Sequence, residues 1–99
     1  MISITRNHNK SAREIKDTVD ALQKDLSKFK IKGVWRTSDE FVYDAKSGPA
    51  SGISGTIVFT DTTITLNLDL PFKLKFFSKV IKGEIEKAFD ANLLKQHRN

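Results

Sequence analysis

Apolar residues change their spacing along this chain, and each change marks a new element. Ile2 and Ile4 alternate with Ser3 and Thr5, the period of a short strand with one apolar face. Asn7-His8-Asn9 interrupts it. Ser11 followed by Glu14 is a capping-box pattern: hydroxyl and carboxylate each satisfy the other residue's free backbone N–H, so a helix should start there. Ile15, Val19, Leu22, Leu26 and Phe29 then recur every three or four residues. On a helix they form a stripe only about 80° wide, which predicts a surface helix from Ala12 to Phe29 laid on something apolar. Its end is expected between Phe29 and Lys32, with Gly33 as the stop signal.

Four strand-like runs follow. Val34-Trp35-Arg36 leads through Thr37-Ser38-Asp39 to Phe41-Val42-Tyr43, and a longer loop with Gly48-Pro49 comes next. Ile53, Gly55, Ile57 and Phe59 alternate with Ser54, Thr56, Val58 and Thr60. After Asp61-Thr62, Ile64, Leu66, Leu68 and Leu70 alternate with Thr65, Asn67 and Asp69. Short connections make these runs an antiparallel meander with one apolar and one hydrophilic face. Pro71 ends the last strand.

Beyond Pro71 the period returns to about 3.6. Leu74, Phe77, Ile81, Ile85 and Ala88 make the core stripe of a second helix running to about Leu94. The order is β-α-β-β-β-β-α. Two apolar helix stripes need a common floor, and the apolar sheet face is the only large one. The fold class is therefore α+β, a two-layer antiparallel sheet packed by two helices, with residues 1–99 as a single domain. The first strand should join the sheet beside either the last strand or the second. The order resembles a shortened helix-grip fold, in which a sheet wraps a long C-terminal helix.

Composition narrows the chemistry. The 99 residues contain no cysteine, so disulfides, thiolate catalysis and Cys-ligated zinc are excluded. No apolar run approaches the ~18 residues needed to span a membrane. Residues 1–10 lack the apolar stretch of a secretory signal, and the expected location is the cytoplasm. The net charge of +5 is uneven. Residues 1–36 carry nine basic and four acidic groups, residues 37–70 one and five, and residues 71–99 seven and three. The meander is acidic and both flanks are basic.

The order of several small features resembles a known family. It begins Ile-x-Ile-x-Arg-x-His, here Ile2, Ile4, Arg6 and His8. An amphipathic helix follows, then Trp35 at the start of the meander and Phe41 in the next strand. Ser54, Gly55 and Ile57 form a Ser-Gly-x-Ile step, and Lys82, Gly83, Ile85 and Glu86 a Lys-Gly-x-Ile-Glu helix segment. Over about residues 2 to 94 the chain is similar to the small polyhydroxyalkanoic acid system proteins, encoded near polyester-granule genes in many bacteria. It departs from them in a longer loop around Lys46 to Ser51 and in Pro71. The resemblance implies a role in polyester storage, at the granule surface or with a granule-associated protein, and names no catalytic residue or cofactor.

Candidate sites are few. His8 and His97 are the only histidines. Neither has a visible catalytic or metal-ligating partner in the sequence, so no catalytic, metal or cofactor residue is assigned, and an enzyme is the least supported class. His8 is expected to hydrogen-bond loop backbone or the free N–H groups of the helix start, Trp35 to pack under a helix, and Gly55 to mark a bulge or a helix passing close above it. The second helix is more informative. With Leu74, Phe77, Ile85 and Ala88 within about 40° of Ile81, the residues Lys75, Lys79 and Lys82 fall on one flank. Phe76, Val80 and Gly83 fall on the other. One helix cannot bury both arcs on one flat sheet. Three arrangements compete. The sheet curls to bury both arcs; or Gly83 lets two copies meet as a homodimer; or Phe72, Phe76 and Val80, with Lys73, Lys75, Lys79 and Lys82, adsorb to an apolar or anionic phase. The function read from this is a non-catalytic accessory protein of polyester storage acting through its last helix. The alternatives are a basic nucleic-acid-binding module, which lacks any binding motif, and a binder of small apolar ligands in a helix-grip cavity.

Overall fold

The computed structural model describes residues 2–48 and 50–94. Its elements are β1 (Ile2–Asn7), α1 (Ala12–Ser27), β2 (Ile31–Thr37), β3 (Glu40–Ala45), β4 (Ser54–Phe59), β5 (Thr63–Asp69), a 3-10 segment (Phe72–Phe77) and α2 (Ser78–Leu94). The five strands form one antiparallel sheet in the order β1-β5-β4-β3-β2. This is the α+β fold that the apolar periods imply, with β1 beside the last strand.

Register explains the core. One row of paired residues crosses all five strands: Ile4, Leu66, Ile57, Phe41 and Trp35. The next row is Ile2, Leu68, Gly55, Tyr43 and Gly33. Because side chains alternate between faces, both rows point to the same side. The opposite face is mostly hydrophilic, with Val34, Val42 and Val58 its apolar members. There Ser3 Oγ donates to Asn67 Oδ1 (2.9 Å), the Thr5 and Thr65 hydroxyls share a hydrogen bond (3.1 Å), and Asn67 Nδ2 donates to Thr56 Oγ1 (3.3 Å).

The two glycines of the second row make room for aromatic rings. A Cβ on Gly33 would collide with the Phe41 ring, and one on Gly55 with the Asn67 carbonyl and the Tyr43 hydroxyl. Tyr43 thus lies across β4 and donates its hydroxyl proton to the Asn67 carbonyl of β5. Burial raises the pKa of this phenol, and the charge of Asp69 raises it further. The ladder runs through Gly55 without a shift of register. Neither a bulge nor a helix is found at Gly55: what lies against it is the Tyr43 ring. The sheet's irregularity lies instead between Trp35 and Thr37.

Helix α1 starts as expected. Glu14 N–H donates to Ser11 Oγ (3.2 Å), and Ser11 N–H donates to Glu14 Oε1 (3.1 Å). Ile15, Val19, Leu22 and Leu26 are buried, with Thr18 beside them donating its hydroxyl to the Glu14 carbonyl (2.9 Å). The helix ends at Ser27, earlier than expected, and Phe29 is 54% exposed. Lys30, at φ 62°, takes the left-handed position in the turn to β2. Gly33 is not the stop signal but an interior residue of β2. Lysine is unusual at positive φ, so the sequence pointed to the wrong residue.

Gly55→Ala should lower stability by about 1–3 kcal/mol, because the new methyl meets backbone that cannot move aside. In a chain of this size that lowers the thermal midpoint by at least about 4 °C. An unchanged midpoint would contradict the packing described for Tyr43.

Candidate functional site

The last third of the chain divides into an anchored half and an unanchored half. The anchor is the second half of α2. Phe89 is fully buried, and Leu93 and Asn92 are buried with it. Asn92 Nδ2 donates to Asp25 Oδ2 of α1 (3.0 Å) and to the Ala88 carbonyl (2.8 Å). Arg6 of β1 supplies the third attachment. It occupies the same face as Ile2 and Ile4, where the strand's alternation calls for an apolar side chain. Its Nη2 donates to Glu86 Oε2 (2.8 Å) and its Nε to Asp90 Oδ1 (2.9 Å). Glu86 and Asp90 are one helical turn apart, so one guanidinium fork reaches both. Its hydrogen bonds to Asp90 and then to Glu86 raise the Arg6 pKa further and hold it charged.

The unanchored half runs from Phe72 to Gly83. No residue of the 3-10 segment is fully buried. Phe72 is 80% exposed, Phe76 87%, Phe77 57% and Val80 66%. The sheet therefore does not curl to bury the second arc of the helix. Leu74, Ile81, Ile85 and Ala88 pack partly against the core, as their stripe implies. Phe77, which the helical spacing places on that stripe, lies outside it. It is the last residue of the 3-10 segment, one position before α2 begins.

A half-open groove of about 380 Å³ separates this segment from the end of the sheet. Ile2, Leu68, Asp69 and Leu70 form its floor, with Lys75 and Ser78 on the other side. Lys73 Nζ donates to Ser51 Oγ (2.8 Å), tethering the segment to the β3–β4 loop. Lys75, Lys79 and Lys82 are exposed and make no hydrogen bond or ion pair among the described residues. Nothing lies within 4 Å of where a Cβ on Gly83 would be. The residues singled out in the sequence, Phe72, Lys73, Lys75, Phe76, Lys79, Val80, Lys82 and Gly83, thus share one exposed stretch, with Lys73 alone among its lysines tied back to the molecule.

The remaining candidates lie elsewhere. His8 joins the end of β1 to the β4–β5 turn. Its Nδ1 accepts from Lys10 N–H (3.1 Å), so its Nε2 carries the proton and donates to the Thr60 carbonyl (2.8 Å). Both ring nitrogens are committed to backbone groups. Trp35 sits between the sheet and α1, edge-on to Phe41 and Phe59, with ring centroids 5.3 Å and 6.2 Å away. Its indole N–H donates to Asp20 Oδ1 (3.4 Å), and Lys16 Nζ lies 5.8 Å from its ring. His97 lies outside the described residues. Among the described residues no cluster of three or more His, Asp or Glu could hold a metal ion, and no helix is long and apolar enough to cross a membrane.

Sequence reasoning missed the Arg6 fork. Its signal was present as an arginine at an apolar strand position, together with two carboxylates four residues apart on the last helix. It also missed the exposure of Phe77, which adds a third ring to the surface.

Gly83→Ala should raise stability by up to about 1 kcal/mol, because Gly83 is an interior position of α2 open to solvent. A fall in the thermal midpoint would mean that something packs against this position in solution.

Comparison with known proteins follows the same span of chain. No curated protein matches it. A family model described as "Putative polyhydroxyalkanoic acid system protein" matches residues 2–93, from the first strand to the buried end of α2, and the chain belongs to that family.

Proposed function

We propose that the protein is a non-catalytic accessory factor of polyester storage that docks on the granule surface through residues 72–83. The observation that carries this reading is the exposure of Phe72, Phe76, Phe77 and Val80 within nine residues that also hold three lysines. Apolar side chains scattered singly over a surface are ordinary, whereas a contiguous group is the mark of a contact surface. Transfer of one such side chain from water to an apolar phase is worth about 1.5–3 kcal/mol. Three rings and a valine therefore supply enough free energy for docking without reshaping the core.

Family membership supplies the context of storage polyester. The commitment of both His8 nitrogens to backbone supports a role other than catalysis. The anchor of α2 lets the surface form without a partner. Phe89, Asn92 and Arg6 hold the helix, while the 3-10 segment overhangs the groove at the sheet end.

Co-sedimentation with purified polyhydroxyalkanoate granules tests this function. The protein should pellet with granules, and Phe76→Ser combined with Val80→Ser should weaken binding at least about tenfold. Both side chains are exposed, so the variant should keep its thermal midpoint. Undiminished pelleting of that variant would show that the surface is wrong.

A further inference from the structure

Between Pro71 and Gly83 the chain carries four lysines and no acidic residue. The acids come later, at Glu84, Glu86 and Asp90, and the last two are bound by Arg6. The fork thus draws the negative charge of α2 toward the sheet and leaves its first half cationic. This charge has no counterpart on a polyester. Ester carbonyls are neutral acceptors, and an uncharged polymer gives three ammonium groups nothing to offset their desolvation. Lysine stems beside exposed rings suit a layered target instead, with an apolar interior below a sheet of anions.

We infer that residues 72–83 recognise an anionic lipid surface, the rings entering the acyl layer and the lysines remaining at the headgroups. This deepens the docking reading above and rests on it. Phe72, Phe76 and Val80 follow one another at intervals of four residues, and Lys75, Lys79 and Lys82 lie between and beyond them. Rings and ammonium groups along one segment match the two levels of a lipid surface. Lys73, held by Ser51, keeps the segment attached to the β3–β4 loop. Each lysine near an anionic surface strengthens binding by about fivefold, and salt removes that part.

Flotation with vesicles tests the inference, using 30% phosphatidylglycerol in phosphatidylcholine against phosphatidylcholine alone. The full-length protein should float with the anionic vesicles at least about tenfold better than with the neutral ones, and should release in 0.5 M salt. Phe76→Ser with Val80→Ser should abolish flotation, and Lys75→Glu with Lys79→Glu should abolish the preference for anionic lipid. A parallel arm uses lipid-free polyester particles. Binding to the particles but not to anionic vesicles overturns the lipid inference and leaves granule docking standing. Binding to neither overturns both. Equal flotation with both vesicle types also overturns the inference. So does a fall from dimer to monomer mass on Phe76→Ser in the absence of lipid, since the rings would then belong to a second copy of the chain.

Discussion

Phe89 is the side chain on which the rest of the last helix depends. Among the described residues of α2 it alone has no exposure, and it belongs to the same buried core as the sheet and α1. A helix held at one point can still turn about that point. Asn92 stops the turn by binding Asp25 of α1, and Arg6 stops it by binding Glu86 and Asp90 from the sheet. The Arg6 pairs are about one-third exposed, so their net contribution to stability is small. Their effect is directional: they fix which side of the helix faces the sheet.

That arrangement has an electrostatic consequence. Two of the three acidic residues of α2 face Arg6, so the charge left outward on the helix is mostly lysine. The surface and its anchor are thus two ends of one design. Apolar free energy in the second half secures the position of the first half, whose own rings remain in water. Burying those rings against the sheet would require the floor to extend past Leu70, and the chain leaves a groove there instead.

Most of the fold was legible in the sequence because its elements obey simple periods. The alternation of Ile64, Leu66 and Leu68, the Ser11–Glu14 box and the Ile15–Leu26 stripe each follow from one local rule. The strand order across β1 was not legible, since both neighbours of the meander's edge offered an apolar partner. The end of α1 was misread because Lys30 adopts a conformation that glycine usually takes. The candidate surface was legible as a surplus of apolar residues with nowhere to go. Its boundary was not, because the wheel puts Phe77 on the core stripe while its ring is 57% exposed. The Arg6 fork needed tertiary structure: β1 and α2 lie at opposite ends of the sequence.

Helix α2 is thus secured chiefly by its second half. Hydrogen–deuterium exchange, read along the helix in the free protein, tests it most directly. Amides around Phe89 to Leu93 should exchange slowly, at the pace of the sheet core, and those from Phe72 to Gly83 far faster. Uniform protection from Phe72 to Leu93 would contradict this, since it would require a contact on the first half that holds it as firmly as Phe89 holds the second.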